Sequence, residues 1–370
     1  MKRDLFVFAG QSNMMGAAVY APSTALDIKD SYEYKHKNKR LGAPTGLFKL
    51  SGYPVGEFSY SDIKSAYAAE MINEKQESLL RDYVKNTYFC PAMSNLKSDA
   101  EKTLFPFSAF SEATAKHGAT LAPFISKEWE KLGNRCAYAH IAKGGVSIDY
   151  YLTDEMASEY ASRLEIYNKK AGTNFPVLIP SANQMAGAAE YFFQKCEDFF
   201  TDAKERFNED DLSNKCFFWL QGESDTNLSA DEYEIKLSVI WDKLKEVGFT
   251  HFFCIRVDFF GVDRITNVMQ AQESFVSKHS DAYMLTRAAS YFTYVGQNET
   301  DWFTSPPDEE MRKCRDSYYG FKNQHINEKG FSIIAKHAIK NLYRVLIQNE
   351  EPVLEEEMVQ LLIPKEQQRR

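Results

Sequence analysis

The sequence lacks any apolar run long enough to cross a membrane. No stretch approaches the roughly 18 apolar residues that predict a membrane-spanning helix. The first apolar run, residues 5–10, is also shorter than the apolar region of a secretory signal. We therefore expect a cytoplasmic chain without a membrane partner, unless a leader has been removed.

The sequence also lacks a cysteine framework and an excess of positive charge. Its cysteines lie far apart, with no C-x-x-C pair and no histidine at zinc-finger spacing, so we expect buried free thiols. The 44 Lys and Arg residues are outnumbered by 52 Asp and Glu residues, which argues against binding to a nucleic-acid backbone. The single basic run, residues 35–40, is interpreted as a solvated loop.

What the chain does contain is five apolar runs of strand length. They are nearly continuous and rich in aromatic and β-branched residues, which is typical of strands covered on both faces of a parallel sheet. The runs are residues 5–10, 136–142, 215–220, 251–257 and 282–287.

Helical patterns alternate with these strands. Capping boxes at 181–184 and 229–232 predict helix starts, the first of a helix over 185–207, and apolar spacing after residue 325 predicts an amphipathic helix. Alternating strands and helices predict a three-layer α/β/α sandwich with a five-stranded parallel sheet. We expect one domain over residues 1–347 and a charged C-terminal tail over 348–370.

Two stretches interrupt this alternation. Residues 17–110 and 289–323 are predicted to be insertions on the loop edge of the sheet, where binding surfaces are commonly built. Both are dense in aromatic residues. These side chains fit either the small cores of the insertions or a rim that stacks on sugar rings.

The strongest local signal is a serine in a glycine-bracketed turn at the end of the first strand. The residues Gly-Gln-Ser-Asn-Met-Met-Gly occupy positions 10–16. A serine at the carboxyl end of a parallel strand is exposed in the ligand-binding crevice of an open α/β sheet. Met14 replaces the second glycine of a G-x-S-x-G elbow, and Ser12 alone fits a turn or cap residue equally well.

This turn resembles the first block of SGNH (GDSL-like) hydrolases in the sialate O-acetylesterase and acetylxylan esterase group, the carbohydrate esterase family 6 type. Three further segments, residues 143–148, 219–225 and 325–330, resemble the later blocks in the same order. The resemblance implies a flavodoxin-like fold and a carbohydrate O-acetylesterase that acts on an acetylated sugar or glycan. It implies neither a metal nor an organic cofactor.

The resemblance also implies roles for individual residues. Ser12 would be the nucleophile and His325 the general base. The oxyanion would be bound by the backbone N–H groups of Ser12 and Gly145 and by the side-chain amide of Gln221, with Asn13 as an alternative amide.

One position departs from the wider SGNH pattern. Many members carry an Asp three residues before the histidine, where this chain has Lys322. Glu223 is the candidate acid in its place, and the alternative is a Ser12–His325 dyad in which Glu223 holds the loop or binds sugar. Asp316 is a third option.

Several other polar residues have weaker assignments. Gln11, Asn13 and His117 are candidates for substrate binding. His140 is interpreted as a core histidine, and Asp225 as a turn cap. Surface positions are expected for His36, His279 and His337, and either a crevice position or a structural ion pair for Arg256 and Asp258.

Two further functions remain compatible with these residues. One is an acyltransferase or a lipid-directed esterase on the same fold. The other is a non-catalytic carbohydrate-binding protein in which the missing Asp marks lost catalysis. The sequence leaves the oligomeric state open.

Overall fold

The computed structural model describes residues 2–15, 121–176, 187–257, 259–260, 263–291, 326 and 328–354. The main sheet consists of β1 (Arg3–Gly10), β2 (Arg135–Ala142), β3 (Leu212–Leu220), β4 (His251–Ile255) and β7 (Ala282–Thr286). These five strands are parallel and lie in the spatial order β2-β1-β3-β4-β7, so the predicted five-stranded parallel sheet is confirmed. A short antiparallel pair is formed by β5 (Phe259–Phe260) and β6 (Asp263–Arg264).

The described helices lie between and after these strands. They are α1 (Ser12–Met15), α2 (Leu121–Lys131), α3 (Asp154–Ala171), α4 (Ala188–Phe207), α5 (Ala230–Val247), α6 (Thr266–Lys278), α7 (Ala288–Tyr291) and α8 (Glu328–Tyr343). A π-helical turn (Arg344–Gln348) extends α8, and 3-10 turns occupy Ile148–Tyr151 and Glu209–Asp211. None of these helices is long and apolar enough to span a membrane.

Alternating strand residues separate the helices into two layers, because successive side chains of a strand point to opposite faces. On one face, Phe6 packs against Trp129 of α2 at 6.1 Å between ring centroids. On the other face, Phe252 packs against Trp241 of α5 at 5.4 Å and Phe275 of α6 at 4.9 Å. The three-layer sandwich is therefore confirmed.

Strand β1 begins earlier than predicted because it includes two buried charged residues. The guanidinium of Arg3 donates to the Cys136 carbonyl at 2.7 Å. The Asp4 carboxylate accepts from the Trp129 indole at 3.0 Å and from the Asn214 side chain at 2.9 Å. Satisfied hydrogen bonds allow these polar side chains to continue a core strand.

Helix starts match the sequence in one case and differ in another. The Ser229–Glu232 capping box is present at the start of α5. Helix α4 begins at Ala188 after Gly187, not at residue 185, and the box at 181–184 lies outside the described residues.

The histidine and cysteine expectations have mixed outcomes. The surface position predicted for His337 is wrong, because its side chain is 1% exposed. Four of the six cysteines are described, and all four are buried free thiols as predicted: Cys136, Cys196, Cys216 and Cys254. Residues 17–110, nearly all of 289–323 and residues 355–370 lie outside the described part of the chain.

Candidate active site

The carboxyl ends of β1, β2 and β3 meet at one edge of the sheet. The Gln11 N–H donates to the Leu220 carbonyl at 3.1 Å, and the Lys143 N–H donates to the Gly10 carbonyl at 3.0 Å. A Cβ at Gly10 would lie 1.9 Å from the Leu220 oxygen, so only glycine permits this approach. The residues that follow the three strands are therefore held side by side.

Two segments at this edge are named by the strands that they follow. The β2 loop consists of residues 143–147, and the β3 loop consists of residues 221–225. Ser12 stands next to them at the start of α1 and is partly exposed. Gly145 is exposed and adopts a φ of 71°, and a Cβ there would meet none of the described atoms within 4 Å. Ser12 and Gly145 are thus the described candidates that solvent reaches.

Asn13 joins two distant parts of the chain. Its Nδ2 donates to Glu223 Oε1 at 2.7 Å, and its Oδ1 accepts the Ile326 N–H at 3.0 Å. Asn13 is 3% exposed. This residue therefore ties the segment after Ser12 to the β3 loop and to the residue that follows His325.

Glu223 is a buried carboxyl group with one unused oxygen. Burial raises its pKa to about 7, and the hydrogen bond from Asn13 offsets part of this shift. The second oxygen, Oε2, is buried and has no hydrogen-bond partner among the described residues. Such an atom is poised to accept a further hydrogen bond.

Gln11 and Gln221 contact each other and are buried. Gln11 Oε1 accepts from Gln221 Nε2 and from the Ser224 N–H, both at 3.3 Å. Gln221 Nε2 also donates to the Val146 carbonyl at 3.2 Å and to Asp225, and its Oε1 accepts from the Tyr233 hydroxyl at 2.7 Å.

These contacts bear on two expected roles. The Gln221 side chain is fully buried and its amide hydrogens have protein partners, so binding an oxyanion would require it to exchange them. Gln11 is 1% exposed, which favours a role in holding the loops over contact with substrate.

Asp225 holds a different segment from the one that the sequence predicts. Both of its carboxylate oxygens lie near the Ile148 N–H, at 3.0 and 3.2 Å, and one also accepts from Gln221. Its side chain therefore caps the 3-10 turn at Ile148 instead of the turn that leads into the segment after Asp225. Burial raises its pKa to about 7, against the lowering effects of the Gln221 and Ile148 hydrogen bonds.

Arg256, after β4, forms a structural ion pair. Its side chain is 1% exposed and lies 2.6 Å from Glu273 of α6, which also binds Arg287. The ion-pair alternative is the one that the structure has at this position. Asp258 lies outside the described residues.

Three of the histidines with expected positions, His325, His117 and His36, lie outside the described residues. The same is true of Lys322 and Asp316. His140 lies in β2 as expected, although nothing is described of its side chain. His279 is half-buried and contacts Ser238 through Nε2 at 3.3 Å.

Two buried tyrosines that the sequence pattern does not distinguish support the site. The Tyr151 hydroxyl donates to the Gly10 carbonyl at 2.6 Å, directly before Gln11. The Tyr233 hydroxyl contacts Gln221. Each occupies an apolar position in its turn or helix, so no local pattern separates it from an ordinary core residue.

The acidic side chains at this edge do not amount to a metal centre. Within the part of the chain that the structure describes, no group of three or more His, Cys, Asp and Glu side chains could hold a metal ion.

Comparisons with known proteins find distantly similar solved structures. No protein-family model and no curated protein sequence matches the chain. A protein from Arabidopsis thaliana is 11% identical, with a TM-score of 0.42 over 92% of this chain and 97% of that one. A carbohydrate acetylesterase from Xanthomonas citri is 12% identical, with a TM-score of 0.42 over 94% of this chain and 57% of that one. Neither similarity bears on the site, which is judged from its own residues.

Proposed function

We propose that this chain is a serine esterase that removes O-acetyl groups from an acetylated sugar or glycan. The observation that carries the proposal is the double hydrogen bond of Asn13. Through it, the residue after Ser12 contacts both Glu223 and the backbone next to His325. This contact supports a site in which a nucleophile, a base and an acid come from three distant segments of the chain.

Ser12 is the nucleophile in this proposal. It is partly exposed at the carboxyl end of a central strand, where substrates of open α/β sheets bind. A serine hydroxyl needs a base within hydrogen-bond reach. The residue that follows His325 in the sequence, Ile326, donates its N–H to Asn13 Oδ1, and this contact supports His325 as the base for Ser12.

Glu223 is the acid that orients His325. Lys322 stands where an Asp would be expected, and a lysine cannot accept the imidazole N–H. Glu223 Oε2, which has no partner among the residues that the structure describes, is a buried acceptor on the same side chain that Asn13 fixes. An imidazolium beside it would favour the ionised carboxylate and lower its raised pKa.

The reaction proceeds in two steps. Ser12 Oγ forms a bond to the acetyl carbon while His325 takes the hydroxyl proton, and the C–O bond to the sugar then breaks as His325 protonates the leaving oxygen. Water, deprotonated by His325, attacks the acetyl carbon, and the bond to Ser12 Oγ breaks as His325 returns the proton to that oxygen, which releases acetate and restores the free serine. The backbone N–H groups of Ser12 and Gly145 stabilise the oxyanion of both intermediates.

The substrate class is supported by the four segments that resemble carbohydrate O-acetylesterases, at residues 10–16, 143–148, 219–225 and 325–330. Release of the acetyl group needs no cofactor, because Ser12 and water are the two nucleophiles and His325 transfers every proton in the two steps.

Acetate release from p-nitrophenyl acetate and from a panel of acetylated sugars tests the proposal. We expect turnover by the wild type and a loss of at least about 1,000-fold in kcat for Ser12→Ala and His325→Ala. Ser158→Ala is the matched control, because Ser158 is an exposed serine of α3 that donates to Asp154 of its own helix. Wild-type rates in Ser12→Ala would refute the nucleophile.

The acid is tested by Glu223→Gln, with the exposed Glu197→Gln as its control. We expect a loss of about 100-fold or more in kcat for Glu223→Gln and no change for Glu197→Gln. A wild-type rate in Glu223→Gln would leave a Ser12–His325 dyad. A chain that binds acetylated sugars without turnover, or that releases acetate only to an acceptor alcohol, would instead be a binding protein or an acyltransferase.

A further inference from the structure

We propose that Asp225 is a positioning residue that fixes the β2 loop, and with it Gly145, against the β3 loop. The proposal rests on the esterase function above and adds a residue to it. Asp225 is 1% exposed, so it acts through the loop and does not touch substrate.

The β3 loop forms two hydrogen bonds at the end of the β2 loop. Asp225 accepts the Ile148 N–H at 3.0 Å, and Gln221 Nε2 donates to the Val146 carbonyl at 3.2 Å. These two backbone groups flank Ser147. Gly145 immediately precedes Val146 in the chain, so its position depends directly on these two hydrogen bonds.

The β3 loop is in turn hydrogen-bonded to two helices of the core. Gln221 accepts from the Tyr233 hydroxyl of α5, and its carbonyl accepts from Gln272 of α6 at 2.9 Å. The Asp225 N–H donates to the Gly222 carbonyl at 3.0 Å. The β2 loop is thus tied to two helices of the main body and not merely to another loop.

A carboxylate suits this position better than an amide. Two donors, the Ile148 N–H and Gln221 Nε2, converge on Oδ2 of Asp225, and the Ile148 N–H also lies 3.2 Å from Oδ1. An asparagine whose oxygen takes the place of Oδ2 would turn its NH₂ group toward the Ile148 N–H, so that one donor faces another. The shape of the side chain would be kept, while the hydrogen bond from Ile148 is weakened and the negative charge beside the two donors is lost.

A second contact holds the same turn. Lys236 of α5 lies 2.6 Å from Asp149, the residue after Ile148, and the lysine side chain is 5% exposed. The 3-10 turn that follows the β2 loop is therefore held by a carboxylate from the β3 loop and by an ammonium from α5.

The first test measures kcat, KM and the pH profile of Asp225→Asn. A displaced Gly145 weakens transition-state binding more than substrate binding, so we expect kcat to fall about 100-fold with KM changed less than about 3-fold. The pH profile should lose the contribution of Asp225, whose pKa is about 7, and keep that of His325, because Ser12, His325 and Glu223 are untouched. Asp242→Asn, at a partly exposed ion pair of α5, is the control and should match the wild type.

A second pair of variants removes the same hydrogen bond from its other end. Ile148→Pro deletes the N–H at the first position of the 3-10 turn, where proline is tolerated, and the residue before it already has an extended ψ of 170°. Ile148→Val keeps the N–H. We expect Ile148→Pro to lower kcat as Asp225→Asn does, and Ile148→Val to stay within about 3-fold of the wild type.

Hydrogen exchange separates this proposal from the proposed function. In Asp225→Asn, amides of residues 143–148 should exchange at least about 10-fold faster, with α3 unchanged. If the wild type releases no acetate but this exchange rises, the esterase assignment fails and the positioning role stands. Unchanged exchange together with a wild-type kcat in Asp225→Asn would overturn the positioning role.

Discussion

Glu223 and Asp225 lie two residues apart in one buried loop, yet their carboxylates have different surroundings. Asp225 receives two donors from other segments or residues, Gln221 and Ile148, whereas the side-chain donor to Glu223 is Asn13. The second oxygen of Glu223 has no partner among the described residues. A buried acceptor that is left unsatisfied destabilises a fold.

The raised pKa of Glu223 gives a prediction for stability. Its folded-state pKa is about 7 against an ordinary value of 4.5, so the folded protein holds a proton there that the unfolded chain releases. Stability therefore falls as pH rises from about 4.5 to about 7. Glu223→Gln removes this penalty. We expect its free energy of unfolding to exceed that of the wild type by up to roughly 3 kcal/mol at pH 8, and by much less at pH 5.

Urea denaturation at the two pH values measures this difference. Glu197→Gln, on the exposed face of α4, should follow the wild type at both. A difference between wild type and Glu223→Gln that is the same at pH 5 and pH 8 would contradict a raised pKa at Glu223.

Gly10 gives a second prediction at the scale of one residue. A Cβ there would meet the Leu220 carbonyl oxygen at 1.9 Å, and backbone atoms of a central strand cannot move aside. We expect Gly10→Ala to lower the free energy of unfolding by roughly 3 kcal/mol or more. Gly172→Ala is the control, because Gly172 has a φ of 69° but open space around it, and the strain alone costs about 1 kcal/mol. Equal losses in the two variants would argue against the clash.

At the scale of elements, the strands could be predicted because their apolar runs are nearly unbroken. The error at β1 has a physical cause. Arg3 and Asp4 are charged, and only their hydrogen bonds to Cys136, Trp129 and Asn214 make a buried strand position possible for them. Those partners are distant in sequence, so no local pattern reveals them.

The site could be predicted only in part, because the partners of its side chains are also distant in sequence. The resemblance assigned residues of the segments 10–16, 143–148 and 219–225 to one oxyanion site, and described residues of these three segments contact one another. The roles of the amides could not be deduced. Asn13 and Gln221 are chemically alike, and only their partners, up to 313 residues away, distinguish a bridge from a possible donor to substrate.

The capping box of α5 gives a prediction for a whole element. The Ser229 hydroxyl accepts the Glu232 N–H, and the Glu232 carboxylate accepts the Ser229 N–H at 2.9 Å. We expect Ser229→Ala to lower the free energy of unfolding by about 1 kcal/mol. Ser158→Ala, inside α3 and exposed, should change it by less than about 0.5 kcal/mol. A neutral Ser229→Ala would mean that packing alone fixes the start of α5.

At the scale of the molecule, a buried histidine joins the sheet, the last helix and the segment beyond it. His337 of α8 donates from Nε2 to the Val353 carbonyl at 3.1 Å, and its Nδ1 accepts from the Thr286 hydroxyl at 2.8 Å. Burial lowers the pKa of His337 to about 4. The folded state therefore requires the neutral ring.

This requirement predicts acid sensitivity. Between pH 6.5 and about 4 the unfolded chain binds a proton that folded His337 does not, so stability falls as pH is lowered through this range. His337→Ala should cost roughly 2–3 kcal/mol at pH 7 and less at pH 4.5, as measured by urea denaturation. Lys336→Ala, exposed on the same helix, is the control. An equal loss at both pH values would contradict the lowered pKa.

The sheet order has a consequence for synthesis on the ribosome. Strand β1 is flanked by β2 and β3, so a strand made early waits for partners that are made much later. Asn13 waits longer still, because its bonds reach residues 210 and 313 positions further on. At about 5–20 residues per second, the chain needs on the order of 15–60 s between translating Asn13 and Ile326. In the first part of that interval, before β2 has been made, the apolar strand β1 has no neighbouring strand, so the nascent chain would be bound by chaperones that shield such segments.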